Sequence, residues 1–181
     1  MRETDINKLK AAVLYITNKL GRTGFHKLFK ILYFADMEHL ANYGRVVVIN
    51  DYVAMQRGPV PSTLYNILKE VRDGNPDFIS EIFAASIKIE DYFVTPVEQP
   101  DLEELSESDI SCLNNAINKI GHLSMVKITQ LSHGFAYKNA WEATDRRSYP
   151  IDIYDIAIEG GATKERIAEI REIEILTTHL A

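Results

Sequence analysis

The chain has 181 residues but one cysteine, Cys112, and one tryptophan, Trp141. A lone thiol excludes an internal disulfide framework and any zinc site built from cysteines, and it fits a reducing compartment. No apolar run approaches the roughly 18 residues of a membrane span. The opening Met1-Arg2-Glu3-Thr4-Asp5 also lacks the apolar stretch of a signal peptide, so the expected location is the cytoplasm, with no membrane partner. Walker phosphate loop, dinucleotide glycine fingerprint and His-Glu-x-x-His pair are all missing, which removes the commonest signatures of nucleotide and metal-hydrolase chemistry. There is no internal repeat and no low-complexity tract.

What remains is an ordinary globular composition, 46% hydrophobic and 25% charged, on a length that suits one compact domain. The net charge of −6 conceals an asymmetry. Residues 1–73 hold 11 Lys/Arg against 7 Asp/Glu, and residues 74–181 hold 9 against 19. An acidic second half disfavours nucleic acid and suits a basic protein partner, or serves solubility alone.

The patterning predicts a mainly α fold, a single compact helical domain around a central buried helix with a small β-hairpin. Ile6, Leu9, Val13, Ile16 and Leu20 mark a helix from Asp5 to Leu20, capped by Thr4 or Asp5 and stopped by Gly21. A second helix over 24–42 is apolar on nearly every face, which makes it the central one. Val46 to Ile49 reads as a strand or extended crossing. Gly58-Pro59-Val60-Pro61 reads as a tight turn, with Pro61 opening a helix that carries Leu64, Ile67, Leu68 and Val71 and ends at Gly74-Asn75-Pro76. Residues 86–97 read as a hairpin, with Ile87 and Ile89 set against Phe93 and Thr95 across a Glu90-Asp91 corner. Ser106 caps a helix ending at Gly121. Another starts near Ser124, buries Val126, Ile128 or Leu131, and stops before Gly134. A helical turn over 135–143 plants Trp141, residues 151–158 leave strand and helix open, and Thr163 caps a final helix.

Few of the reactive side chains form a constellation. His26 and His39 lie thirteen residues apart, not at the three or four that let two rings on one helix reach one metal. Ser132-His133 invites a nucleophile and base reading, but neighbours on a helix point about 100° apart. The plainer reading is that His133 ends its helix near the negative end of the dipole. Cys112 reads as a small core residue and His179 as solvated. Lys27, Lys30 and Arg22 read as a solvated basic face. Asp36 stands out because its helical face also carries Phe25, Phe29, Leu32 and Leu40. A buried carboxylate needs a partner, and Arg57, Arg45 and Lys27 are the candidates. The expected role is a tie that pins the Gly58-Pro59 loop to helix two, through Arg57 or the loop's backbone amides. An enzyme built on Asp36, Tyr33 and His133 is the minority alternative.

Taken in order, Lys27-Leu28-Phe29-Lys30-Ile31-Leu32-Tyr33-Phe34-Ala35-Asp36, Leu40, Tyr43-Gly44-Arg45, Tyr52-Val53-Ala54, Arg57 and Gly58-Pro59-Val60-Pro61 resemble the signature of the Panacea domain, the SocA-like antitoxin family. Leu131-Ser132-His133 and Ala140-Trp141 resemble its second signature. The resemblance covers about residues 5–145, giving a Panacea-like domain over 1–145 and an extension over 146–181 that carries the final helix. Val46-Val47-Val48-Ile49 departs from the turn-like stretch expected there. The resemblance implies a mostly helical bacterial or phage protein with a small β element, an antitoxin that acts on a cognate toxin by contact, with no catalysis, no cofactor and no metal. One member of the family is similar to a protease adaptor, so a protease is a second partner to consider. A DNA-binding autorepressor is a weaker alternative, and homo-oligomerisation is left open. The implied family residues are Lys27, Lys30, Tyr33, Asp36, Tyr43, Gly44, Arg45, Arg57, Gly58, Pro59, Val60, His133 and Trp141, structural or partner-binding.

Overall fold

A computed structural model describes residues 2–49, 51–142 and 149–179, with side chains described to residue 176. The first helix, α1 (Glu3–Leu20), begins two residues before the expected start. Arg2, not Thr4 or Asp5, takes the cap position, and its N–H donates to Asp5 Oδ2 at 3.1 Å. Asp5 therefore closes the first turn from inside. Gly21, at φ 73°, stops the helix as expected.

After the short strand β1 (Thr23–Gly24), α2 (Phe25–Tyr43) runs through the middle of the molecule. Leu28, Ile31, Leu32, Tyr33, Ala35 and Leu40 each keep 0% of their surface exposed, which is what a helix apolar all round requires. Each large side chain buried in this way contributes about 1.5–3 kcal/mol. Gly44 ends α2 in the left-handed region, φ 69°, with its N–H on Leu40 O, a turn that glycine makes without strain.

Residues 46–49 form no strand. They cross over the core as bends, burying Val47 and Val48. Next comes a hairpin that the sequence reading did not anticipate. β2 (Tyr52–Met55) pairs antiparallel with β3 (Gly58–Pro61), Ala54 opposite Pro59 and Tyr52 opposite Pro61. The expected turn at Gly58–Pro61 is thus a strand. It tolerates two prolines because it lies at the edge of its sheet, where their missing N–H groups break no ladder on the outer side. α3 (Ser62–Arg72) follows directly on Pro61. The short α4 (Phe78–Ala84), also unanticipated, is capped by Asp77 Oδ1, which accepts from the Ile79 and Ser80 amides at 2.9 and 2.8 Å.

The hairpin over 86–97 is present as β4 (Ile87–Glu90) and β5 (Phe93–Pro96), and β1 adds to its edge. Its register differs from the expected one. Ile89 faces Val94 and Ile87 faces Pro96, so Val94 is buried and Phe93 is 39% exposed. The corner lies at Asp91-Tyr92, with Asp91 at φ 56°.

Ser106 caps α5 (Glu107–Ile120), and Gly121 ends it. Of the three candidates Val126, Ile128 and Leu131, α6 (Met125–Ser132) buries Ile128 and leaves Val126 69% and Leu131 37% exposed. α7 (Phe135–Glu142) carries Trp141. β6 (Tyr149–Pro150) joins the other side of β2 to give the sheet order β3-β2-β6.

The undecided segment is the helix α8 (Ile153–Glu159), and α9 (Lys164–His179) starts with Thr163 Oγ1 accepting from Arg166 N at 3.2 Å. The side chain of His179 lies outside the described residues. Glu159 Oε2 accepts from the Ala136 amide at 2.6 Å, and an Arg166 Nη2 donates to Asn42 O at 2.9 Å. These bonds tie α8 to α7 and α9 to the end of α2.

One close approach gives a test. Gly58 has φ 96°, and a Cβ there would stand 2.6 Å from Ser132 Oγ and 2.9 Å from Lys30 Cε. Gly58→Ala is expected to lower unfolding free energy by about 2 kcal/mol or more in urea titration. Gly74→Ala, also at positive φ but with nothing within 4 Å, should cost about 1 kcal/mol, and equal losses would contradict the role of crowding.

Candidate functional site

Lys30 and Asp36 of α2 lie in the core with no exposed surface, as do Tyr33 and His39. Asp36 is not paired with Arg57, Arg45 or Lys27. Its Oδ1 accepts from the Val47 and Val48 amides at 2.7 and 3.3 Å, and its Oδ2 accepts the Tyr52 hydroxyl at 2.6 Å. Burial pushes its carboxyl up to about 7, while these donors pull the other way. Three donors and no cation make it an acceptor hub for the 46–52 crossing.

The Gly58-Pro59 segment is held instead by Lys30, whose Nζ donates to Pro59 O at 2.6 Å. The expectation of a solvated Lys27–Lys30 face is therefore wrong for Lys30. Burial pushes this amine down to about 7. Lys27 is half-buried and donates to Gly121 O at 2.6 Å, joining α2 to the end of α5.

Arg45 serves a second buried acid that the motif did not reveal. Its Nη1 lies 3.0 Å from Asp109 Oδ1. Asp109 also meets Lys8 Nζ at 2.8 Å, His39 Nε2 at 3.1 Å and the Ser106 amide at 2.9 Å. Burial opposes ionisation here, but the His39, Lys8 and Ser106 hydrogen bonds overcome it and hold the carboxyl well below the usual range. His39 Nδ1 donates to Arg45 O at 2.8 Å, so the ring belongs to this knot and not to a metal site. The available signal was Ser106-x-x-Asp109, a capping-box spacing at the start of α5. Tyr43 is 49% exposed and its ring lies 4.6 Å from that of His39.

The second signature builds a column of rings. His133 stacks on Tyr137 at 4.1 Å and 14°, and Tyr137 stacks on Trp141 at 5.8 Å and 15°. Tyr137 OH donates to Met55 O at 3.0 Å, clamping β2. Tyr137 was missed, although its spacing of four from both His133 and Trp141 places the three on one helical face. Burial, with Lys30 and Lys138 nearby, pushes the His133 pKa down. His133 stands at the C-terminal cap of α6, where its ring is held by the stack on Tyr137. Ser132 Oγ donates to Thr129 O at 3.0 Å. Cys112 is buried, and burial pushes its thiol up to about 12. Tyr33 packs edge-on to Tyr52 at 5.2 Å, its hydroxyl buried without a hydrogen bond among the described residues.

Among the described residues no three His, Cys, Asp or Glu side chains gather as metal ligands, and no helix is long and apolar enough to cross a membrane. Gly58, Pro59 and Val60 are buried. Arg57 is exposed and, unlike Lys27, Lys30 and Arg45, makes no hydrogen bond or ion pair among the described residues.

A family model described as "Antitoxin SocA-like, Panacea domain" matches residues 28–142, from the first turn of α2 to the end of α7. No curated protein and no solved structure matches the chain.

Two substitutions separate these roles. Asp36→Ala leaves two buried amides and a tyrosine hydroxyl unmet and is expected to cost about 3 kcal/mol or more, whereas Tyr33→Phe should cost less than about 1 kcal/mol, both read from urea midpoints. Lys30 gives a pH signature. Its folded pKa of about 7 lies below the ordinary lysine value of 10.5. Its contribution is therefore present above the unfolded pKa and is lost as pH falls through the folded one. Wild type should gain stability relative to Lys30→Met between about pH 7 and 10.5, and parallel pH profiles would contradict the burial of this amine.

Proposed function

This chain belongs to the SocA-like antitoxin family, Panacea domain, and from that membership we propose that it is the antitoxin of a bacterial or prophage toxin–antitoxin pair. It neutralises its cognate toxin in the cytoplasm by direct protein contact, without catalysis, cofactor or metal. The observation that carries the contact mechanism is the fate of the motif's polar groups. Lys27, Lys30, Asp36 and Arg45 are each bonded to groups of their own domain, and the Ser132 hydroxyl donates to a carbonyl of its own helix. What the family residues build is a scaffold, so recognition falls to the surface that the scaffold displays.

The surplus of carboxylates over residues 74–181 suits a toxin with a basic surface. It also works against an autorepressor that grips DNA phosphates. A protease adaptor is the second reading. It is favoured by α9, where Ile175 and Leu176 are 59% and 57% exposed and could offer a docking arm.

Co-expression with the protein encoded beside it should restore growth arrested by that protein alone, and the two should co-purify in a stoichiometric complex. Absence of both results overturns the antitoxin reading. Toxin half-life distinguishes the mechanisms: blocking leaves it unchanged or longer, whereas delivery to a protease shortens it.

A further inference from the structure

The surface is acidic in balance, yet one groove is not. A cavity of about 910 Å³ lies where the end of α1, the start of α2, the β4–β5 corner and α6 come together. Its walls include Arg22, Lys27 and Arg57, with His26 and His133, and not one carboxylate. The only acid paired with any of these cations among the described residues is Glu90, 3.9 Å from Arg22 Nε. Between the cations the walls are apolar and open to solvent: Tyr92 is 57%, Met125 40% and Val126 69% exposed.

This placement is not explained by the fold. Arg57 stands at the turn between β2 and β3 and makes no hydrogen bond or ion pair among the described residues, whereas the other motif cations are fastened. Cations gathered without acids repel one another and are relieved by an incoming anion. Their mutual effect is visible at His26, pushed down to about 4 first by burial and then by Lys30, Arg57 and His133.

We propose that this groove is a docking site for a segment of the protein partner that carries a carboxylate flanked by apolar side chains, with Arg57 as the exposed guanidinium that receives the carboxylate. The inference rests on the antitoxin reading for the identity of the partner, but not for the chemistry of the groove. A volume of this size holds several side chains, and its mixed lining matches a segment of alternating character better than a free anion. A nucleic-acid strand would extend its phosphates beyond the groove onto a chain of net charge −6, where a single acidic side chain would not. The remaining acidic surface and this one basic groove would then be read together by the partner, fixing its orientation.

Fluorescence anisotropy with the full chain tests the chemistry, using a short labelled peptide in which Leu and Phe alternate with Glu. The comparison probes are the same peptide with Lys for Glu and a short oligothymidylate. The acidic peptide should bind best and weaken with salt, and Arg57→Glu should weaken it about tenfold or more. Phe78→Ser, at an exposed residue outside the groove, should leave binding unchanged. Absence of acidic-peptide binding, equal binding of the lysine peptide, or preference for the oligonucleotide overturns the proposal.

A second arm uses the neighbouring toxin and the double variant Arg57→Glu with Val126→Asp, both at exposed positions, its folding confirmed by circular dichroism. Loss of neutralisation supports the groove. Neutralisation equal to wild type overturns it while leaving the antitoxin reading intact. Failure of wild type to neutralise overturns the antitoxin reading, and the peptide arm alone then decides the groove.

Discussion

A buried charged side chain must be met by partners, and α2 carries Lys30 and Asp36 in its middle turns, over 28–37, where every residue is buried. Lys30 and Asp36 are six residues apart, which turns them about 120° away from each other around the axis. Each has to be answered on a different flank. The chain answers both with a single excursion between Tyr43 and Pro61: the amides of Val47 and Val48 and the hydroxyl of Tyr52 go to Asp36, and the carbonyl of Pro59 goes to Lys30. The conformation of that excursion follows from these demands. Gly44 turns the chain out of α2, Tyr52 must be in a strand that directs its ring inward, and Gly58 must lack a side chain because Lys30 and Ser132 occupy the space. The motif is spread over thirty residues because it records the two ends of these bonds.

Asp109 applies the same rule at the other end of the domain. It gathers Lys8 from α1, His39 from α2 and Arg45 from the excursion onto the first turn of α5. With the ring column of His133, Tyr137 and Trp141 closing on β2, every segment around α2 is fixed by at least one polar bond as well as by packing. Such bonds add modest net energy but penalise alternatives strongly, since breaking one strands a buried polar group. They specify the arrangement more than they stabilise it.

Apolar period made the helices and their centre legible in the sequence, and alternation made the β4–β5 hairpin legible. The β2–β3 hairpin was hidden by Pro59 and Pro61, which argue against a strand unless its edge position is known. α4 has only seven residues, too few for periodicity to register. At the site, the burial of Asp36 and the need for a partner could be read from its helical face. The partner itself could not. Charge and loop placement suggested an arginine or the amides of the Gly58-Pro59 loop, whereas the amides of Val47 and Val48 and the Tyr52 hydroxyl supplied the donors, and amides have no identity in a sequence that says which loop they come from. The same blindness assigned Lys30 to solvent: a lysine beside another lysine looks like a surface, and only the carbonyl of Pro59 shows otherwise.

This division between fastened interior and open surface bears on how one scaffold can serve different partners. The groove at Arg57 is assembled from helix ends, a hairpin corner and one exposed face of α6, all outside the middle of α2 where the obligatory bonds lie. Arg57 sits one residue before Gly58 in the family motif, yet its side chain leaves the core while its neighbour is trapped in it. Substitution at Arg22, Met125 or Val126 changes what the groove presents without unmeeting a buried charge. Substitution at Lys30 or Asp36 does the reverse. The rigid element thus constrains where the variable surface sits and leaves free what it contacts, which is the physical condition for changing a partner without changing the fold.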